Sequence, residues 1–116
     1  MIRRADNRAV KVNEAMRGGP GSVVLTEIAS KNEMFEKARL FSTILLKPGC
    51  GIGYHEHSGE CEIFCVVRGT AVYNDDGTEY EITAGDVTIV EDGHGHGVEN
   101  RSEEDVELVA LIPLNN

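Results

Sequence analysis

Short apolar runs recur along most of this chain, and turn residues close each one. Ser22 to Ala29, with Val23, Val24, Leu25 and Ile28, predicts a strand, and Phe41 to Leu46 predicts a second, ended by Pro48-Gly49. Between them, Glu33 to Leu40 could form a short helical turn, although no apolar stripe supports one. Beyond Gly49, Ser58-Gly59, Gly69, Asn74-Asp75-Asp76-Gly77, Ala84-Gly85 and Asp92-Gly93 each end a run. Asp76-Gly77 lies between Ala71-Val72-Tyr73 and Glu79-Tyr80-Glu81-Ile82 and predicts a β-hairpin. Val106 to Leu111 predicts a closing strand, stopped by Pro113. Many short strands, Gly-rich turns and almost no helix predict an all-β sandwich or barrel. Gly18-Gly19-Pro20-Gly21 punctuates the start, so residues 1–22 are expected as an N-terminal arm and residues 23–116 as one barrel domain.

Composition narrows the partners. A chain of 116 residues favours one domain with one core. A formal charge of −9 argues against nucleic acid and against an anionic membrane, because both require basic patches. No apolar run reaches membrane-spanning length. The basic start, Met1-Ile2-Arg3-Arg4, is not followed by an apolar signal region, and a cytoplasmic location is the expectation. Cys50, Cys61 and Cys65 cannot all pair within the chain and are expected as reduced packing residues. Cys61 and Cys65, four apart on a strand, are separated by about 13 Å, too far to share a zinc ion.

Chemistry concentrates in two segments that hold all four histidines. Alternation points His55 and His57 to one face of a strand, about 6–7 Å apart. If Ser58-Gly59-Glu60-Cys61 forms a hairpin loop, His57 sits opposite Glu62 on that face, and Glu60 stays solvated in the loop. Continuing from Glu62, Phe64 and Val66 face the same side while Ile63, Cys65 and Val67 face outward. A fourth ligand has to come from elsewhere. His96 is the candidate, although His94 would share its face if that stretch is extended.

The spacing of these residues resembles the cupin family. The first motif reads Gly49, five residues, His55, one, His57, four, Glu62, six, Gly69. The second reads Gly85, seven residues, Gly93, two, His96, three, Asn100, and fifteen residues separate Gly69 from Gly85. Glu91 departs from the pattern, standing where the family's second motif usually has a proline that shapes a turn. The resemblance implies a double-stranded β-helix, or jelly-roll, barrel. It implies one divalent transition metal ion (Fe, Mn, Ni, Co or Zn) held by His55, His57, Glu62 and His96. His94 occupies a variable motif position and becomes a candidate acid or base in the pocket rather than a ligand.

Three neutral imidazoles and one carboxylate leave a divalent ion with a net charge of about +1, and an octahedral ion would keep two open positions. Such a centre suits a small, anionic or oxygen-rich ligand. The leading expectation is a metal-dependent enzyme of the dioxygenase, isomerase or decarboxylase type. The alternative is a binding or sensing module with the metal as anchor, and a third is a structural barrel without metal. Arg39, Thr43 and Tyr73 could reach a pocket, although the pattern assigns each first to structure or surface. Small cupins commonly pair through exposed sheets, so a homodimer is expected, with Val10, Val12 and Val23-Val24-Leu25 as crossing segments.

Overall fold

The computed structural model describes residues 1–116 and contains ten strands and three short 3-10 turns, with no α-helix. Strands β1 (Val10–Glu14), β2 (Ser22–Glu27), β3 (Ala38–Leu46), β5 (Glu62–Arg68), β8 (Val87–Val90) and β10 (Val106–Pro113) form one sheet, ordered β1-β2-β3-β10-β5-β8. Strands β4 (Gly51–Glu56), β6 (Thr70–Asp75), β7 (Thr78–Thr83) and β9 (Gly95–Glu99) form the second, ordered β4-β9-β6-β7. All named pairings are antiparallel. This is the jelly-roll arrangement expected from the sequence.

The core fills the space between the sheets. The larger sheet supplies Val23, Ile44, Leu46, Phe64, Val66, Leu108 and Ala110, and the smaller one Ile52, Ala71, Tyr73, Ile82 and Val98. Alternation on β5 follows the expected pattern: Phe64 and Val66 are buried, Ile63 and Cys65 are half-buried, and Val67 is exposed. The hairpin at Asp76-Gly77 also forms, joining β6 to β7 through two residues with φ of 49° and 100°.

Two early segments differ from the sequence expectation. The helical turn expected over 33–40 shrinks to Asn32–Met34, and Ala38 to Leu40 extend β3 instead. Left-handed φ values at Phe35 and Glu36 (56° and 61°) end the turn before a second one can form. Within the segment expected as an arm, β1 pairs with β2 of its own chain, Val10 opposite Thr26 and Val12 opposite Val24.

The framing residues of the two motifs have structural tasks. Gly69 has φ +85°, and a Cβ there would collide with the Asp105 carbonyl oxygen. Only glycine turns the chain so tightly between β5 and β6. Asn100 is fully buried, and its amide donates to the carbonyl oxygens of Leu46 (2.9 Å) and Glu104 (2.7 Å). It thereby ties the end of β9 to the end of β3.

Candidate metal centre

A bulge decides which way the first histidine points. Ile52 opposes Val98 and His55 opposes His96, so β4 carries one extra residue between these pairs. Simple alternation from buried Ile52 would turn His55 outward; the extra residue turns it, and hence His57, inward. Tyr54 is turned out and lies over Gly95, where a Cβ would strike its ring.

Glu62 reaches the same point from the other sheet. The hairpin expected over residues 58–61 is absent: β4 pairs with β9, whereas β5 pairs with β10 and β8. His57 is instead tied to the second motif, its amide donating to the His94 carbonyl at 3.0 Å and its carbonyl accepting from Gly93 at 2.8 Å. His57 and Glu62 therefore face each other across the sandwich. A loop of this length fits both arrangements, so local spacing does not distinguish them.

Four donor atoms converge. The Nε2 atoms of His55 and His57 are 3.1 Å apart, as are those of His57 and His96. Glu62 Oε1 lies 2.9 Å from His96 Nε2, 3.1 Å from His57 Nε2 and 4.0 Å from His55 Nε2. All four donors lie within 4.8 Å of one another, and His57, Glu62 and His96 are buried.

The outer nitrogens fix how two of these rings present themselves. His55 Nδ1 lies 2.8 Å from the Gly53 carbonyl, which can only accept, so Nδ1 carries the proton. His57 Nδ1 lies 2.5 Å from Glu60 Oε2 and donates likewise. In their neutral forms both rings thus aim Nε2 lone pairs at one point, 3.1 Å apart. Two lone pairs beside a carboxylate repel unless a cation sits between them. Bonds of about 2.1 Å to one ion would place neighbouring donors about 3.0 Å apart in octahedral geometry and about 3.4 Å apart in tetrahedral geometry. Four of the observed separations are 2.9–3.1 Å and the His55–Glu62 pair stands at 4.0 Å, so these donors are close enough together to hold one divalent metal ion.

Titration reflects the same crowding. Burial lowers the His55 pKa, whereas hydrogen bonding to Glu62 raises that of His57 above its ordinary 6.5 despite burial. Burial pushes the Glu62 carboxyl up, but hydrogen bonds from His57 and His96 outweigh it and hold the group below its ordinary value. Without metal, then, the raised His57 pKa stabilises the fold fully below its unfolded value and loses that contribution as pH rises through the folded value. The depressed Glu62 contributes above its unfolded value and loses that as pH falls. A metal needs the neutral imidazoles, so protons compete with it as pH drops. The fall in Tm on adding chelator should be larger at about pH 8 than at about pH 5.5. Scanning fluorimetry at both values checks this; an equal fall would contradict it.

Some of the other residues sit where the sequence suggested, and others do not. Glu60, expected in solvent, is largely enclosed and accepts from both His57 and Arg39. Tyr73 is buried with its hydroxyl 2.8 Å from His96 Nδ1, and Phe64 stacks on the His96 ring at 5.1 Å. Thr43 lies apart from the centre, its hydroxyl bonded by Arg8. His94 leaves the pocket altogether. β9 begins only at Gly95, so His94 lies in the preceding turn and pairs with Asp76 at 2.6 Å. Its exposed ring borders a separate hollow with Asp75, Asp76 and Glu91. The three cysteines are unpaired, and none joins the donor group.

Three of the donor residues, His55, His57 and Glu62, open into a cavity of about 230 Å³. Leu25, Leu40, Ile44, Ile52 and Ile112 give it apolar walls; Lys11, Asn13, Arg17 and Arg39 give it polar ones. Lys11, Asn13 and Arg17 belong to the N-terminal segment. Arg17 is held in a left-handed conformation (φ 53°, ψ 30°), as is Ala15. Gly53 makes room for this turn, since a Cβ there would strike the Arg17 carbonyl oxygen. Strained backbone of this kind persists only where its surroundings enforce it.

This fold and donor set place the chain in the cupin family, whose domain matches residues 42–112. The Oxalate-binding protein of Thermotoga maritima is 42% identical over 99 residues, which cover 85% of this chain and 82% of that protein. A crystal structure from Thermotoga maritima described as a predicted oxalate decarboxylase matches with TM-score 0.94 at 38% identity, over 98% of this chain and 99% of that one. A cupin-superfamily sugar phosphate isomerase from Silicibacter pomeroyi matches at TM-score 0.79 and 19% identity, over 97% of this chain and 75% of its own, which speaks for the fold alone.

Proposed function

We propose that this cupin is a metal-anchored binding protein for a small dicarboxylate of the oxalate class. One observation carries the reading: in a chain of net charge −9, the cavity above the donor group is lined by Lys11, Arg17 and Arg39. No carboxylate lies within ion-pair distance of Lys11 or Arg17. A divalent ion, when bound, would supply Lewis-acid anchorage for two carboxylate oxygens at its open positions. The cationic walls would meet the rest of the anion, and the name of the Thermotoga maritima relative supports the ligand class.

Turnover of the same ligand is the second reading, favoured by the relative's structure described as a predicted decarboxylase. Decarboxylation has to deliver a proton to the carbon that loses CO₂. Apart from the donor group, the ionisable side chains lining the cavity are Lys11, Arg17 and Arg39, and of these Lys11 is the one that could deliver the proton. Binding is the leading reading because the cationic walls account for it without any further proton transfer.

Arg17→Gly provides the test, because glycine accepts the left-handed backbone without strain. Calorimetry on Mn(II)-loaded protein should show oxalate affinity about 10- to 100-fold weaker in this variant, the worth of a charge-assisted hydrogen bond. Its Tm should be equal or higher. Unchanged oxalate affinity would mean that the cationic wall plays no part in binding. Formate or CO₂ released from oxalate by the wild type would replace binding with turnover.

A further inference from the structure

The three imidazoles are not supported alike. The outer nitrogen of His55 meets a backbone carbonyl, that of His96 a tyrosine hydroxyl, and that of His57 alone a carboxylate, Glu60. Glu60 is itself clamped by Arg39, whose Nε donates to Oε1 at 2.6 Å and Nη2 to Oε2 at 2.7 Å. Oε2 thus accepts from both Arg39 and His57. The carboxylate side chain is 12% exposed.

The backbone under Glu60 is also fixed. Glu60 bridges to Leu114, Cys61 donates to the Pro113 carbonyl, and Asn115 donates to the Gly59 carbonyl. Gly59 in turn donates to Asp92 Oδ1 at 2.8 Å. The loop is therefore stapled to the C-terminal segment on one side and to the second motif on the other. A loop that only joined two sheets would need none of the buried side-chain geometry it carries. Arg39, at the other end of the relay, lines the cavity, and its Nη1 has no protein partner.

We propose that Glu60 and Arg39 are positioning residues for the metal: Glu60 orients His57 and strengthens it as a donor, and Arg39 acts on the metal only through Glu60. A carboxylate accepting from the outer nitrogen fixes the tautomer and ring angle of a ligand histidine and makes its inner nitrogen more basic. The bidentate clamp fixes the carboxylate in place and stops it from rotating toward solvent. This inference rests on the proposed metal-anchored function.

Co(II) is the probe, because its visible spectrum reports the donor geometry directly. Wild type, Glu60→Gln, Arg39→Met and the double variant would be titrated with Co(II), and the Tm of each metal-free protein recorded. Glu60→Gln should weaken Co(II) binding about 10- to 100-fold and shift its visible bands. Arg39→Met should weaken binding less, and the double variant should match Glu60→Gln, because Arg39 has nothing left to act through. Metal-free Tm values should stay close together. Co(II) affinity and spectrum unchanged in Glu60→Gln would overturn the proposal, as would additive effects in the double variant. If metal-free Glu60→Gln is itself unfolded, Glu60→Asp has to restore the fold and part of the affinity; failure to do so also overturns it. A wild type that takes up no Co(II) would sink the proposed function together with this inference, whereas wild-type uptake matched by Glu60→Gln sinks the inference alone.

Discussion

His57→Ala is expected to weaken metal binding by at least about 100-fold, since losing even a hydrogen-bond partner of a ligand histidine costs about 10- to 100-fold. The reason lies in where His57 stands: its Nε2 is within 3.1 Å of the donor atoms of His55, His96 and Glu62. Without it, the remaining donors no longer surround the point they face. At a free metal concentration about 1,000 times Kd, the wild type gains about 4.1 kcal/mol from binding; a 100-fold weaker variant keeps about 1.4 kcal/mol. At roughly 4 °C per kcal/mol for a domain of this size, the variant should melt about 10 °C lower with metal present. Metal-free, the two proteins should melt within a few degrees of each other, because the deletion also removes a crowded donor. Equal metal content in both, by elemental analysis, would remove His57 from the site.

Phe64→Ala should be the most destabilising single change in the core, at about 3–5 kcal/mol, or a Tm lower by roughly 12–20 °C. Phe64 is 1% exposed, between the sheets. Its ring lies nearly parallel to that of His96, 20° between planes, and edge-on to Tyr73 at 6.3 Å. Truncation leaves a void beside His96, one of the four candidate metal donors, so metal affinity should fall with stability. Val67→Ala on the same strand, where the side chain is 47% exposed, should stay within about 0.5 kcal/mol of the wild type. Equal unfolding free energies for the two variants would mean that β5 does not face inward as described.

Much of the centre is legible in the sequence because two kinds of signal coincide there. Strand alternation puts His55 and His57 on one face and Phe64 and Val66 on the face of Glu62, and motif spacing singles out His96 over His94. The four candidate donors therefore converge despite a wrong local picture. The expected hairpin does not form, yet a loop crossing between sheets brings His57 and Glu62 together equally well. What escapes the sequence is what depends on distant contacts. The bulge that turns His55 inward adds a single residue and leaves no mark on the hydrophobic pattern. Glu60 reads as a loop carboxylate because Arg39, which claims it, is 21 positions away. His94 reads as a pocket residue only while β9 is assumed to begin before it. Alternation in β6 does carry a usable signal for Tyr73, which shares parity with buried Ala71. The N-terminal segment escapes most fully. Its Gly-rich break suggests an appendage, yet Lys11, Asn13 and Arg17 line the cavity above the metal donors.

If a metal in this barrel anchors a small dicarboxylate, oxalate binding has to depend on that metal. Calorimetric titration of oxalate into Mn(II)-loaded and chelator-treated wild-type protein tests this most directly. One oxalate should bind per metal-loaded chain, and none should bind measurably without metal. Equal binding in both samples, or none in the loaded one, would contradict metal-anchored binding.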